Sequence, residues 1–187
     1  MIGWAWPFHG TNPLAFADPA SADGEGVAPL VIDMATSHVA YVAVKEWADA
    51  GLPIPKRWGR DSNGQPITNS WDVVNRGQMG PLGGDKGALL ALMVDIFAGG
   101  LGGPNFSYQA SSIVDDQGGP MGIGHTFIAI DPGKNPQHMA FLLRMQNLLA
   151  AMGDAGSGRH PGLRRSELAH QTRSNGIDVP DELIAEI

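Results

Sequence analysis

The 187-residue sequence predicts an α/β fold of the mixed, α+β kind, and three observations carry that expectation. Strand-like apolar runs and helix-like periodic stretches alternate irregularly, which disfavours a doubly wound parallel sheet. One apolar run, Leu30-Val31-Ile32, ends abruptly in the carboxylate of Asp33 and passes through Met34, Ala35, Thr36 and Ser37 into a helical pattern. No G-x-G-x-x-G follows a strand: Gly122-Ile123-Gly124 and Gly156-Ser157-Gly158 lack both the third glycine and the strand-before, helix-after setting.

In chain order, residues 14–17 form a candidate strand, opened by Thr11-Asn12-Pro13 and closed by Asp18-Pro19, and residues 21–26 a turn cluster. Residues 30–34 are a strand. Residues 38–50 predict a helix with Val39, Val42, Ala43, Trp47 and Ala50 on one face and Gly51 at its left-handed end. Pro53 and Pro55 keep 52–58 extended, and Asp61-Ser62-Asn63-Gly64 is a turn. Residues 76–87 are a glycine-rich loop. The helix expected over 86–98 carries apolar residues around nearly its whole circumference, predicts burial mid-fold, and stops at Gly99-Gly100. Residues 101–122 read as loop and 124–130, G-H-T-F-I-A-I, as the clearest isolated strand. Asp131-Pro132-Gly133 turns the chain into an amphipathic helix over 136–152, with Met139, Leu142, Leu143, Leu149 and Met152 facing the core. A flexible loop over 153–158 precedes a helix over 164–175 ended by Gly176, and Asp178 is expected to cap a last helix over 180–187.

Composition narrows the function classes. Hydrophobic residues make up 43% and charged residues 17%, which suits a folded domain with a core of its own. A net charge of -7 argues against a nucleic-acid or anionic-membrane surface. Without cysteine there is no disulfide, thiolate metal site or thiol nucleophile, which fits a reducing compartment. No uncharged apolar stretch reaches the ~18 residues of a membrane span. The start, M-I-G-W-A-W-P-F-H-G-T-N-P, has neither the basic nor the apolar region of a signal peptide, so a cytoplasmic protein is expected. There is no H-E-x-x-H, the six histidines are scattered, and no metal site is expected. Gly83-Gly84-Asp85-Lys86 lacks Walker spacing, and no base or oxyanion pattern surrounds Ser37 or Ser112 to suggest a hydrolase.

Two features point to chemistry. The first is the strand end at 31–37. Helix first-turn N–H groups lack intrahelical partners, so Thr36 or Ser37 can cap them, or an anion can. The second is Lys86 behind several glycines. It either grips a phosphate or carboxylate, with glycines letting backbone approach the ligand, or reaches for solvent beside a tight turn.

Taken jointly, Gly10-Thr11-Asn12-Pro13-Leu14-Ala15-Phe16-Ala17, Asp33-Met34-Ala35-Thr36-Ser37, Leu52-Pro53 with Trp58, Asp61 and Gly64-Gln65-Pro66, Gly80-Pro81-Leu82-Gly83-Gly84-Asp85-Lys86-Gly87, Pro161-Gly162 and Asn175-Gly176-Ile177 form a familiar order. The chain resembles the malate/L-lactate dehydrogenase-like family of NAD(P)-dependent oxidoreductases, which includes malate, sulfolactate and ureidoglycolate dehydrogenases, diketogulonate reductase and a cyclic-imine reductase. The resemblance spans essentially the whole chain, and its specificity lies in the joint pattern rather than in one motif.

The resemblance implies a non-Rossmann fold with a large, mostly antiparallel sheet and packed helices, a homodimer, and NAD or NADP as cofactor. It implies interconversion of 2-hydroxy and 2-oxo acids, or reduction of a related imine, by hydride transfer. Cofactor contacts carry over to Val31, Ile32, Asp33, Met34, Ala35, Thr36 and Ser37, to Asp85 and Lys86, and to Gly162, Leu163 and Arg164. Thr11 is a substrate-binding candidate. The match is to roughly the second half of family members, so residues 1–187 are expected to hold the cofactor-binding domain and a C-terminal helical segment. The part carrying the general acid/base histidine is absent, and none of the histidines here inherits its role. Asp33 is then the orienting carboxylate for that histidine. The same absence raises an inactive cofactor-binding or structural fragment as the alternative. The sequence departs from the family at Val42-Ala43, where Gly-Lys is frequent, at Leu163, where glutamate is common, and at Ala17-Asp18-Pro19, which replaces a more apolar run.

Overall fold

The computed structural model describes residues 8–18, 28–111, 118–136, 138–157 and 159–185. The turn expected at 21–26 and Ser112 lie outside the described residues. The chain folds as β1 (Leu14–Asp18), β2 (Leu30–Met34), α1 (Tyr41–Asp49), β3 (Gly59–Arg60), β4 (Pro66–Ile67), α2 (Ser70–Arg76), β5 (Gln78–Met79), α3 (Asp85–Asp95), α4 (His138–Met152), α5 (Leu163–Asn175) and α6 (Asp181–Ile184). Instead of one large sheet, the described residues form two small ones: β1 pairs with β2, and β4-β3-β5 is antiparallel throughout. The fold class is mixed α/β.

Two compact units result, one of Met1–Leu14 with Asp33–Ala129, the other of Ala15–Ile32 with Ile130–Ile187. The core of the first is Val44 of α1, Ile54 and Val73 of α2, with Trp47, Trp58, Ile67 and Met79 packed against it. Burying each of its aliphatic side chains is worth ~1.5–3 kcal/mol. The core of the second joins Leu30 of β2 to Leu149 of α4, flanked by Met145 and Met152.

Several expectations are corrected. α1 starts three residues late because residues 36–38 are committed elsewhere. Thr36 N–H and Oγ–H both donate to the Thr11 carbonyl, at 2.8 and 3.0 Å. Ser37 Oγ–H donates to the Val39 carbonyl, and His38 N–H to that of Gly80. Neither Thr36 nor Ser37 caps the helix; Ala40 does, with no side-chain bond. The buried face of α1 is Val44 and Ala48, while Val42 is exposed. α2 was not foreseen, although Asn69 caps it by accepting from Trp71 and Asp72 N–H.

α3 is not buried all round. Its buried face is Gly87, Ala88, Ala91 and Asp95, while Leu89, Met93, Ile96 and Phe97 are exposed. Small residues let the backbone approach its neighbours, leaving the bulky side chains outward. The helix also runs past Gly99-Gly100 as a π-helical stretch, Ile96–Leu101.

Residues 124–130 are not a strand. An extended segment becomes one only through a ladder, and none of the described residues pairs with it. It is held instead by Thr126 Oγ–H donating to the Phe97 carbonyl at 2.6 Å, and Phe127 stands 90% exposed. On α4, Leu142 and Leu149 are buried but Met139 and Leu143 are exposed. Residues 153–157 continue from α4 as a π-helical stretch that breaks at Gly156, where φ is +90°. α6 is shorter than expected, and its N-cap is Pro180 rather than Asp178.

Candidate functional site

The strand end and the glycine-rich loop meet through backbone. Leu82 N–H donates to the Thr36 carbonyl at 2.9 Å, and His38 N–H donates to the Gly80 carbonyl at 2.7 Å. Ser37 and Pro81 form an isolated antiparallel bridge. Residues 36–38 are therefore laid against residues 80–82, and Asp85 and Lys86 follow at once as the first turn of α3. Thr36 is buried, whereas the side chains of Asp33, Asp85 and Lys86 are exposed. Lys86 has no ion-pair partner among the described residues.

Glycine is needed in this loop for two different reasons. A Cβ on Gly80 would stand 2.2 Å from the Arg57 carbonyl oxygen, and one on Gly87 only 1.7 Å from that of Leu82. These two allow close packing. Gly83 and Gly84 instead adopt φ of +61° and +69° with open space where a side chain would go, so the backbone itself is presented.

Val31, Ile32, Gly162, Leu163 and Arg164 lie in the other unit. Val31 N–H donates to the Pro161 carbonyl at 3.0 Å. Gly162, at φ +96°, caps α5, and a Cβ there would lie 2.9 Å from both the Pro29 oxygen and the Val31 nitrogen. Leu163 is half-buried and Arg164 exposed at the start of α5.

The predicted residues thus form two groups, each drawn together within its own unit: Asp33 to Ser37 with the segment leading to Asp85 and Lys86, and Val31 and Ile32 with Gly162 to Arg164. Thr11 has an exposed side chain, and its carbonyl anchors Thr36. An open pocket of about 330 Å³, lined by Leu52, Pro53, Thr68, Asn69, Ser70 and Trp71 among others, shares no residue with either group. Among the described residues no three His, Asp or Glu side chains gather as a metal site.

Sequence reasoning missed a part-buried polar cluster of His9, Asn12, Asp95 and Ser107. Its one sequence signal is Asp95, a carboxylate inside the apolar run M-V-D-I-F.

Comparison with known proteins places the chain in a family. The family model described as malate/L-lactate dehydrogenase matches residues 2–187. The chain is 38% identical to (2R)-3-sulfolactate dehydrogenase (NADP(+)) of Chromohalobacter salexigens, over 97% of this chain and 52% of that protein. It is 32% identical to ureidoglycolate dehydrogenase (NAD(+)) of Escherichia coli O157:H7, over 97% of this chain and 52% of that one. The crystal structure of delta1-piperideine-2-carboxylate reductase from Pseudomonas syringae superposes with a TM-score of 0.79 at 30% identity, covering 96% of this chain and 55% of that one. The chain therefore spans about half the length of the curated relatives it matches. With that family's model matching nearly every residue, the chain belongs to the malate/L-lactate dehydrogenase family.

Proposed function

We propose that this chain is the cofactor-binding part of an NAD(P)-dependent oxidoreductase that interconverts 2-hydroxy and 2-oxo acids or reduces a related cyclic imine. The observation that supports the reading is the backbone seam between residues 36–38 and 80–82, from which the chain runs on into the exposed Lys86 at the start of α3. The residues present fit a dinucleotide. Lys86 offers an ammonium to phosphate oxygens, and the α3 first turn adds N–H groups and a positive dipole end. The bare backbone at Gly83 and Gly84 lets a ligand approach closely. Asp85 offers acceptors for ribose hydroxyls.

When bound, the nicotinamide supplies or accepts the hydride. Asp33, exposed on β2, orients a histidine general acid/base from outside this chain by accepting its ring N–H and supporting its charged form. Titration with NADH and NADPH, followed by the fluorescence of the five tryptophans, tests cofactor binding. Turnover is tested with a panel of 2-oxo acids and cyclic imines. Saturable binding of either dinucleotide is expected, and no response to both sinks the reading.

We propose as the second reading that residues 1–187 by themselves bind cofactor without turnover. Binding with no oxidation of NAD(P)H in that panel selects it. We also propose a homodimer, supported by the exposed Leu89, Met93, Phe127 and Ile128. Light scattering at twice the 19.7 kDa chain mass is the expected result.

A further inference from the structure

Four polar side chains outside the candidate contacts are joined within one unit. Asp95, at the end of α3 and inside the apolar run M-V-D-I-F, is 6% exposed. One carboxylate oxygen, Oδ2, lies 2.8 Å from His9 Nδ1, whose ring is itself nine-tenths buried. The other, Oδ1, accepts from Ser107 N–H at 3.0 Å and lies 2.8 Å from Ser107 Oγ. Ser107 Oγ is also 2.7 Å from Asn12 Oδ1, and Asn12 Nδ2–H donates to the Ala91 carbonyl at 2.8 Å. Phe8 stacks on Tyr108 beside this cluster, with ring centroids 5.2 Å apart.

The Ala91 carbonyl is an acceptor, so it fixes which way the Asn12 amide points and leaves Oδ1 facing Ser107. The serine hydroxyl has one proton and meets two acceptors, so it is shared between Asp95 and Asn12. Asn12 is held at φ +39°, a conformation non-glycine residues seldom adopt. That local twist orients the peptide from Thr11, whose carbonyl takes both hydrogen bonds of Thr36. The path runs from Asp95 through Ser107, Asn12 and Thr11 to Thr36, and Thr36 accepts from Leu82 N–H in the glycine loop. An apolar residue at position 95 would bury at lower cost. What the carboxylate adds is direction.

We propose that Asp95 and Ser107 are positioning residues for the strand end at 33–37, acting through Asn12 and the Thr11 carbonyl on Thr36. The link to cofactor binding rests on the function proposed above. The link to Thr36 does not.

Amide hydrogen exchange of Ser107→Ala and Asp95→Asn tests it, because both variants keep the side-chain volume nearly unchanged. Exchange at the Thr36 and Leu82 amides is expected to quicken about tenfold in Ser107→Ala, the loss of one hydrogen bond to a charged group. The Ile54 amide, bonded to the Thr68 carbonyl in the core of the same unit, should stay unchanged. Ser107→Thr, which keeps the hydroxyl, should restore protection, and Asp95→Asn should fall between. NADH or NADPH affinity should weaken about tenfold in step with Thr36 exchange. Unchanged Thr36 and Leu82 exchange in both variants overturns the proposal. So does an equal quickening at Ile54, which would mark general destabilisation. If the unmodified chain binds neither dinucleotide, the cofactor reading falls, and the exchange data still decide the positioning role.

Discussion

Two glycine turns start two helices that carry cations, and the structure builds them differently. The turn before α3 is locked by packing: Gly80 and Gly87 sit where any side chain would strike a backbone oxygen, and the helix that follows buries its small-residue face. The turn before α5 rests on one glycine, Gly162, and no residue of α5 is buried. The first cation, Lys86, therefore stands on a platform held by neighbours on several sides. The second, Arg164, stands on a helix that buries none of its residues. A cluster of close glycines fixes position through excluded volume, whereas a single left-handed glycine fixes direction through backbone conformation.

That contrast can be broken most strongly at Gly87. Gly87→Ala puts a methyl 1.7 Å from the Leu82 oxygen, so the loop or the helix must move. Destabilisation beyond about 3 kcal/mol is expected, read as a lower urea midpoint with loss of cooperativity.

Lys86→Gln tests function on the same platform without touching the packing. NADPH or NADH affinity should fall roughly 10- to 100-fold, the worth of a charge-assisted contact, with the melting temperature unchanged. A matching loss of stability would mean that Lys86 supports the fold instead.

Gly162→Ala should cost about 1–3 kcal/mol, from its positive φ and its contact with Pro29 and Val31. Exchange should quicken at the Val31 amide, which bonds to the Pro161 carbonyl, while the core around Val44 keeps its protection. A uniform loss across the chain would remove the distinction between the two turns. The smallest effect is expected at Arg164→Gln, under about fivefold in dinucleotide affinity, because the side chain is solvent-exposed. A larger effect there than at Lys86 would reverse the ranking of the two platforms.

Local chemistry accounts for much of what could be read in advance. Turns were legible wherever a residue's own bonds make them: Asp61 Oδ1 accepts from Asn63 and Gln65 N–H, and Gly51, Gly64 and Gly176 all take positive φ. β2 and the helices around 86, 140 and 165 were legible from periodicity, give or take their ends. The ends failed where a distant segment competes for the same groups. Thr36 and Ser37 looked like helix caps by spacing, yet Thr11, Gly80 and Pro81 claim that stretch first. Residues 124–130 carry the short apolar run of an isolated strand, but strand status depends on a neighbour the residues cannot name.

The order of motifs along the whole chain was enough to recognise the family, and the strand ending near Asp33 was legible because it depends on residues adjacent in the chain. Which face of α3 is buried, which residues pin Thr36, and that Asp95 sits inside a polar cluster with His9 and Ser107 were decided only by folding. Those facts join residues as far as 95 positions apart, and pairings at that range depend on packing rather than on local propensity.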